Sequence, residues 1–164
     1  MRILAIAALV LGMAASASAQ GIFDPLKIVK WSAEAKPAGK GEFDIVFTAN
    51  VEKGWNIYAQ DVAKNGPIPT TITFDKKGGV VKSGTAKEAC DHKKVAKDEN
   101  FDMILTKYYD KVTFTQRVKT TAATAKGTVE FMTCNSERCL PPAEYEFNVA
   151  LKGGTATVAP AKKK

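Results

Sequence analysis

The sequence is poor in the residues most enzymes rely on. Among 164 residues it has one histidine, His92, three cysteines and two tryptophans. It lacks a Gly-rich phosphate loop, an H-E-x-x-H and a G-x-S-x-G. A single histidine argues against a multi-histidine metal site and leaves no spare base for a conventional triad. Past the N-terminus no apolar run approaches the ~20 residues that cross a bilayer as a helix, so no membrane span is expected in the mature chain. Thiol chemistry, ligand binding and scaffolding stay open.

The first residues read as an export signal. Met1-Arg2 is a short positive start, Ile3 to Ala15 is almost wholly apolar, and Ala17-Ser18-Ala19 ahead of Gln20 is an A-x-A cleavage site. Residues 1–19 are therefore set aside as a signal peptide cleaved after Ala19. No cysteine sits at the cut, so a lipid-anchored N-terminus is not expected. Only Arg2 is lost among the charges, which lowers the net charge by one from the +7 of the whole chain. The lysines form no basic stripe interleaved with aromatics, so nucleic acid is not an expected partner. What remains is the length of one domain.

Period-two alternation runs through that domain. Phe43, Ile45, Phe47, Ala49 and Val51 share one face, with Asp44, Thr48 and Asn50 opposite. Ile72 and Phe74, then Val112, Phe114 and Val118, then Val129 and Phe131 repeat the pattern. Tyr145, Phe147, Val149 and Leu151 alternate with Glu144, Glu146 and Asn148. Such runs are half-buried antiparallel strands with one wet face. Lys53-Gly54, Asn65-Gly66-Pro67, Lys77-Gly78-Gly79, Lys126-Gly127 and Pro141-Pro142 read as the turns between them. Ala86 to Lys97 has no apolar stripe and reads as a loop or short strand. Roughly seven to nine strands with no long helix predict an all-β fold, an antiparallel β-sandwich of immunoglobulin-like type over residues 20–152. A closed barrel is the next choice. Residues 153–164, small and ending in three lysines, read as a flexible basic tail.

The cysteines carry the chemistry. Cys134 follows one strand directly, and Cys139 precedes Leu140-Pro141-Pro142 and another strand. If those strands are neighbours, the two residues face each other at a hairpin mouth, within disulfide reach, and in an oxidising compartment they are expected to bond. The loop closed is so short that the bond constrains the unfolded chain by only about 2 kcal/mol. A short bridge at a sheet edge is also open to attack by another thiol, and Arg138 beside Cys139 could favour a thiolate there. Spacing alone leaves both readings standing, a structural clip and an exchanging pair. Cys90, in Cys90-Asp91-His92, reads as a free loop thiol or a partner in an intermolecular bond; two donors are weak evidence for a metal site.

The segment Cys134 to Pro142 resembles the N-terminal periplasmic domain of DsbD, a transmembrane reductant conductor of bacterial envelopes. Lys53-Gly54-Trp55-Asn56-Ile57-Tyr58 is similar to that domain's Gly-aromatic-x-x-Tyr strand. Asn100-Phe101-Asp102 through Tyr108-Tyr109-Asp110-Lys111-Val112-Thr113 is similar to its cap loop and following strand. The resemblance implies an immunoglobulin-like sandwich in the periplasm, without cofactor, whose cysteines shuttle between dithiol and disulfide. It further implies electron transfer from a thioredoxin-like donor to thioredoxin-like acceptors serving disulfide isomerisation and cytochrome c maturation. By position, Cys139 would form mixed disulfides and Cys134 would resolve them. Phe101 would be the cap aromatic, Tyr58 a wall of the site, and Glu99 the acidic cap residue. The C-x4-C spacing is one residue shorter than in the best-known members, and Asn56 stands at an aromatic position of the wall. The chain shows neither membrane domain nor C-terminal thioredoxin domain, so a separate electron donor and a monomeric protein are expected. A redox-active pair would make it a thiol–disulfide oxidoreductase of the protein-disulfide reductase type. Two other readings are a redox-inert binding sandwich and a Cu(I) carrier using Cys134, Cys139 and Met132 or Met103.

Overall fold

Residues 23–152 and 156–161 are described by the structure, a computed structural model. The signal peptide lies outside them. Where the sequence alternates, the chain extends. β1 (Val29–Gly39) pairs with β2 (Glu42–Val51), which pairs with β9 (Lys111–Lys119), all antiparallel. β5 (Val81–Lys82) and β6 (Lys87–Cys90) both lie against β9 and complete that sheet. The facing sheet holds β4 (Thr71–Phe74), β10 (Thr124–Phe131), β12 (Ala143–Ala150) and β13 (Thr157–Pro160) in the order β13-β12-β10-β4. Phe47 of the first sheet meets Phe74 and Phe147 of the second edge-on, Phe47 and Phe147 with centroids 4.8 Å apart. The result is the expected immunoglobulin-like antiparallel β-sandwich, its apolar faces turned inward.

A third, smaller sheet sits at one end and carries the site. It runs β11 (Thr133–Cys134), β3 (Asn56–Tyr58), β8 (Met103–Tyr108), β7 (Lys93–Asp98). The chain leaves β10 at Met132 and changes sheets, so Cys134 pairs with Asn56 rather than continuing beside β12.

Three expectations are corrected here. Lys126-Gly127 is no turn but mid-strand in β10. A Cβ at Gly127 would come 1.9 Å from the Thr73 carbonyl oxygen and 2.8 Å from the Phe147 ring, so glycine serves the close approach of β4. Ala86 to Lys97 contributes two strands, β6 and β7; the lysines of β7 face water from an edge position, which hides the pattern. Part of the expected tail is ordered as well, since Thr157–Pro160 pairs with Tyr145–Asn148 of β12.

Candidate functional site

Cys134 and Cys139 form a disulfide, with their Cα atoms 4.0 Å apart. The four residues between them are a tight loop. Asn135 N–H donates to the Arg138 carbonyl (2.9 Å), and the Asn135 Oδ1 accepts from the amides of Glu137 and Arg138. Leu140 N–H returns to the Thr133 carbonyl at 3.0 Å, and the Thr133 hydroxyl donates to the Asn56 carbonyl at 2.9 Å. The cysteines are thus held by backbone on both sides. Their exposure differs: Cys134 is 1% exposed, whereas Cys139 is only half-buried. Arg138 is engaged elsewhere, its guanidinium 5.2 Å over the Phe23 ring and 3.5 Å from Glu137.

Around the bond lies a small apolar cluster separate from the main core. Tyr58, Leu105 and Cys134 form its buried centre; Phe101, Met103, Met132 and Cys139 pack against it. The register explains the gathering. Cys134 faces Asn56, Tyr58 faces Lys107, and Leu105 faces Ala96, so one face of the third sheet carries all these side chains. Phe101 comes from the turn joining β7 to β8 and meets the Tyr58 ring edge-on at 6.1 Å. Phe101 and Tyr58 therefore pack in the same apolar cluster as the cysteines.

Glu99 is not in this cluster. It is exposed, and the buried acid is its neighbour Asp98, at 3% exposure. Adjacent residues at a strand end point to opposite sides, and β7 turns Asp98 inward. Its Oδ2 accepts from Lys107 Nζ (2.9 Å) and from the Tyr58 hydroxyl (3.4 Å), and its Oδ1 accepts from the Asn100 amide (3.0 Å). Burial pushes the Asp98 carboxyl up, but Lys107 and the amides of Asn100 and Phe101 outweigh it and hold it below the usual range. Burial first, and the Asp98 carboxylate second, drive the Tyr58 phenol far above its ordinary value, so it stays a neutral donor. The turn that carries Phe101 is in this way bolted at its base, with Asp102 paired to Lys97, while the Phe101 ring itself rests on apolar contacts.

Cys90, half-buried, donates to the Tyr109 carbonyl at 3.5 Å, and His92 Nδ1 lies 2.8 Å from Asp110 Oδ2. Among the described residues no three His, Cys, Asp or Glu side chains gather as a metal cluster, and no helix is long and apolar enough to cross a membrane.

A disulfide with one half-buried sulfur at one end of a β-sandwich suits thiol–disulfide interchange. The family described as "Thiol:disulfide interchange protein DsbD, N-terminal" matches residues 28–151, and the chain belongs to it. Two solved structures share the fold. The N-terminal domain of DsbD from Neisseria meningitidis in its reduced form is 17% identical, with a TM-score of 0.58 over 84% of this chain and 95% of that one. The N-terminal periplasmic domain of ScsB from Proteus mirabilis is 18% identical, with a TM-score of 0.58 over 79% of this chain and 49% of that one. No curated protein matches the sequence.

Proposed function

We propose that this protein passes electrons between thioredoxin-like partners in the periplasm by opening and reclosing the Cys134–Cys139 bond. The observation that carries the reading is the unequal exposure of the two sulfurs. A partner thiolate attacks Cys139 Sγ; the Cys134–Cys139 bond breaks, an intermolecular disulfide forms, and Cys134 leaves as a thiolate that takes up a proton. A second partner thiolate then attacks the partner's own sulfur in the mixed disulfide and releases Cys139 as a thiolate. Two electrons have moved to this protein, and the partner holds a disulfide. The reverse sequence delivers them. In that return step the more exposed Cys139 meets the partner's disulfide as the nucleophile, and Cys134 then displaces the partner and recloses the bond. The test is a thioredoxin-like CxxC domain lacking its second cysteine: mixed with the oxidised protein it should give a covalent one-to-one adduct. No adduct would remove the proposal.

Phe101 is the lid in this account, with a half-buried ring that a docking partner pushes aside. Losing roughly 1–2 kcal/mol of apolar contact should raise the population of open site about tenfold. Phe101→Ala should therefore react about tenfold faster with a small thiol, measured as the second-order rate of disulfide opening. An unchanged rate would make Phe101 a packing residue only.

A second reading draws on one observation, the packing of Met103 and Met132 against the same cluster as both cysteines. Once reduced, the site offers two thiols and two thioethers, a donor set suited to Cu(I). Anaerobic titration tests it. Stoichiometric uptake that weakens in Met103→Leu supports copper carriage, and no uptake disposes of it.

A further inference from the structure

Beside the disulfide loop is a second feature, a cleft of about 340 Å³. It is lined by Gly54 and Asn56 at the end of β3, Lys94 and Lys97 of β7, Asn135 and Ser136 of the disulfide loop, and the turn around Asn100. Asn56 is the odd member. It is only 4% exposed, and its Nδ2 is buried with no hydrogen bond of ordinary length; the Tyr58 phenol is near enough to feel the amide, but its hydroxyl donates to Asp98. Leaving a buried amide donor unpaired is costly, and native structures rarely tolerate it without a purpose. The position is next to the chemistry, because Asn56 is paired in register with Cys134.

The charges around the cleft decide what the donor awaits. Lys107 is committed to Asp98 and Lys97 to Asp102. That leaves Lys94 and Glu99, neither with an ion-pair partner among the described residues, and their opposite signs nearly cancel. An anion therefore gains little, whereas a neutral oxygen acceptor suits an unpaired N–H. A polypeptide bonded through its cysteine to Cys139 has backbone carbonyls within a residue or two of that sulfur.

We infer that this cleft receives a backbone carbonyl from the segment flanking the partner's reactive cysteine, and that Asn56 Nδ2 donates to it. The inference rests on the exchange reading above and names what a partner must present: an extended peptide, not merely a thiol. Asn56 acts as a positioning residue, favouring polypeptide thiols over small ones.

The test compares two probes on the full mature protein, a reduced heptapeptide with a central cysteine and 2-mercaptoethanol. One hydrogen bond of ordinary net strength corresponds to roughly fivefold in rate. Asn56→Leu should slow opening of the disulfide by the heptapeptide about fivefold and leave 2-mercaptoethanol unchanged. The variant should also be no less heat-stable than the wild type, since it removes an unsatisfied donor. A readout independent of that variant uses Cys134→Ser protein trapped at Cys139 with each probe. The Asn56 side-chain amide proton should move downfield in the heptapeptide adduct relative to the 2-mercaptoethanol adduct. Identical shifts, or equal slowing of both probes, would overturn the inference while leaving exchange intact. If neither probe opens the bond, the exchange reading itself falls.

Discussion

With Cys134 replaced by serine, an aromatic disulfide should label Cys139 rapidly and leave a stable mixed disulfide. With Cys139 replaced instead, the same reagent should reach Cys134 about 100-fold more slowly. Both proteins carry Cys90→Ser, so that the half-buried third thiol does not report. The difference follows from geometry. Cys134 is 1% exposed beneath Tyr58 and Leu105, so labelling it requires local opening of the third sheet. A local opening cost of roughly 3 kcal/mol corresponds to that factor. Equal labelling rates, or the opposite order, would reverse the roles given to the two cysteines.

The second large effect lies under the lid. Asp98→Asn should cost about 3 kcal/mol, the low end for breaking a buried ion pair, because Lys107 is left without its carboxylate at 14% side-chain exposure. In a domain of this length that is a fall of roughly 10 °C in Tm, read by thermal unfolding. The double variant Asp98→Asn, Lys107→Met should recover most of it, since an apolar pair leaves no charge stranded. The same pair gives a pH signature. The folded Asp98 carboxyl lies below its unfolded value, near ~3.9, so its contribution is complete above that pH and drains away as the pH falls further. Wild-type stability should therefore drop more steeply below about pH 4 than that of Asp98→Asn. Parallel curves for the two proteins would show that Asp98 does not hold the turn.

These expectations also mark what the sequence made legible. Strands β2, β9 and β12 alternate openly, because one face is core and the other is water, and each lies where its pattern puts it. Gly127 misleads because glycine in a strand looks like glycine in a turn, and only the approach of β4 tells them apart. β7 is hidden by Lys93, Lys94 and Lys97, for an edge strand outside the main core needs no apolar stripe. β13 is short and contains a proline, and it exists only because β12 offers an open edge.

The site divides along the same line. The cysteine pair is legible from its spacing, whereas Tyr58 and Phe101 are reached only through the resemblance to the DsbD N-terminal domain. Asp98 is reached by neither, since choosing it over Glu99 depends on which residue of β7 faces inward, and that is set by pairing with Met103. Asn56 carries no local signal of its unpaired amide. Its meaning arises from β11 pairing with β3 across 77 residues of sequence, a long-range contact that no local pattern encodes.

The reduction potential of the Cys134–Cys139 pair tests the central claim most directly. Equilibrated with thiol–disulfide buffers of known potential, the pair should titrate reversibly as a two-electron couple well above about −300 mV, the range of bonds that exchange. A potential below that value, with no adduct formed at Cys139, would make the bond a clip on a hairpin and the electron carrier a mistake.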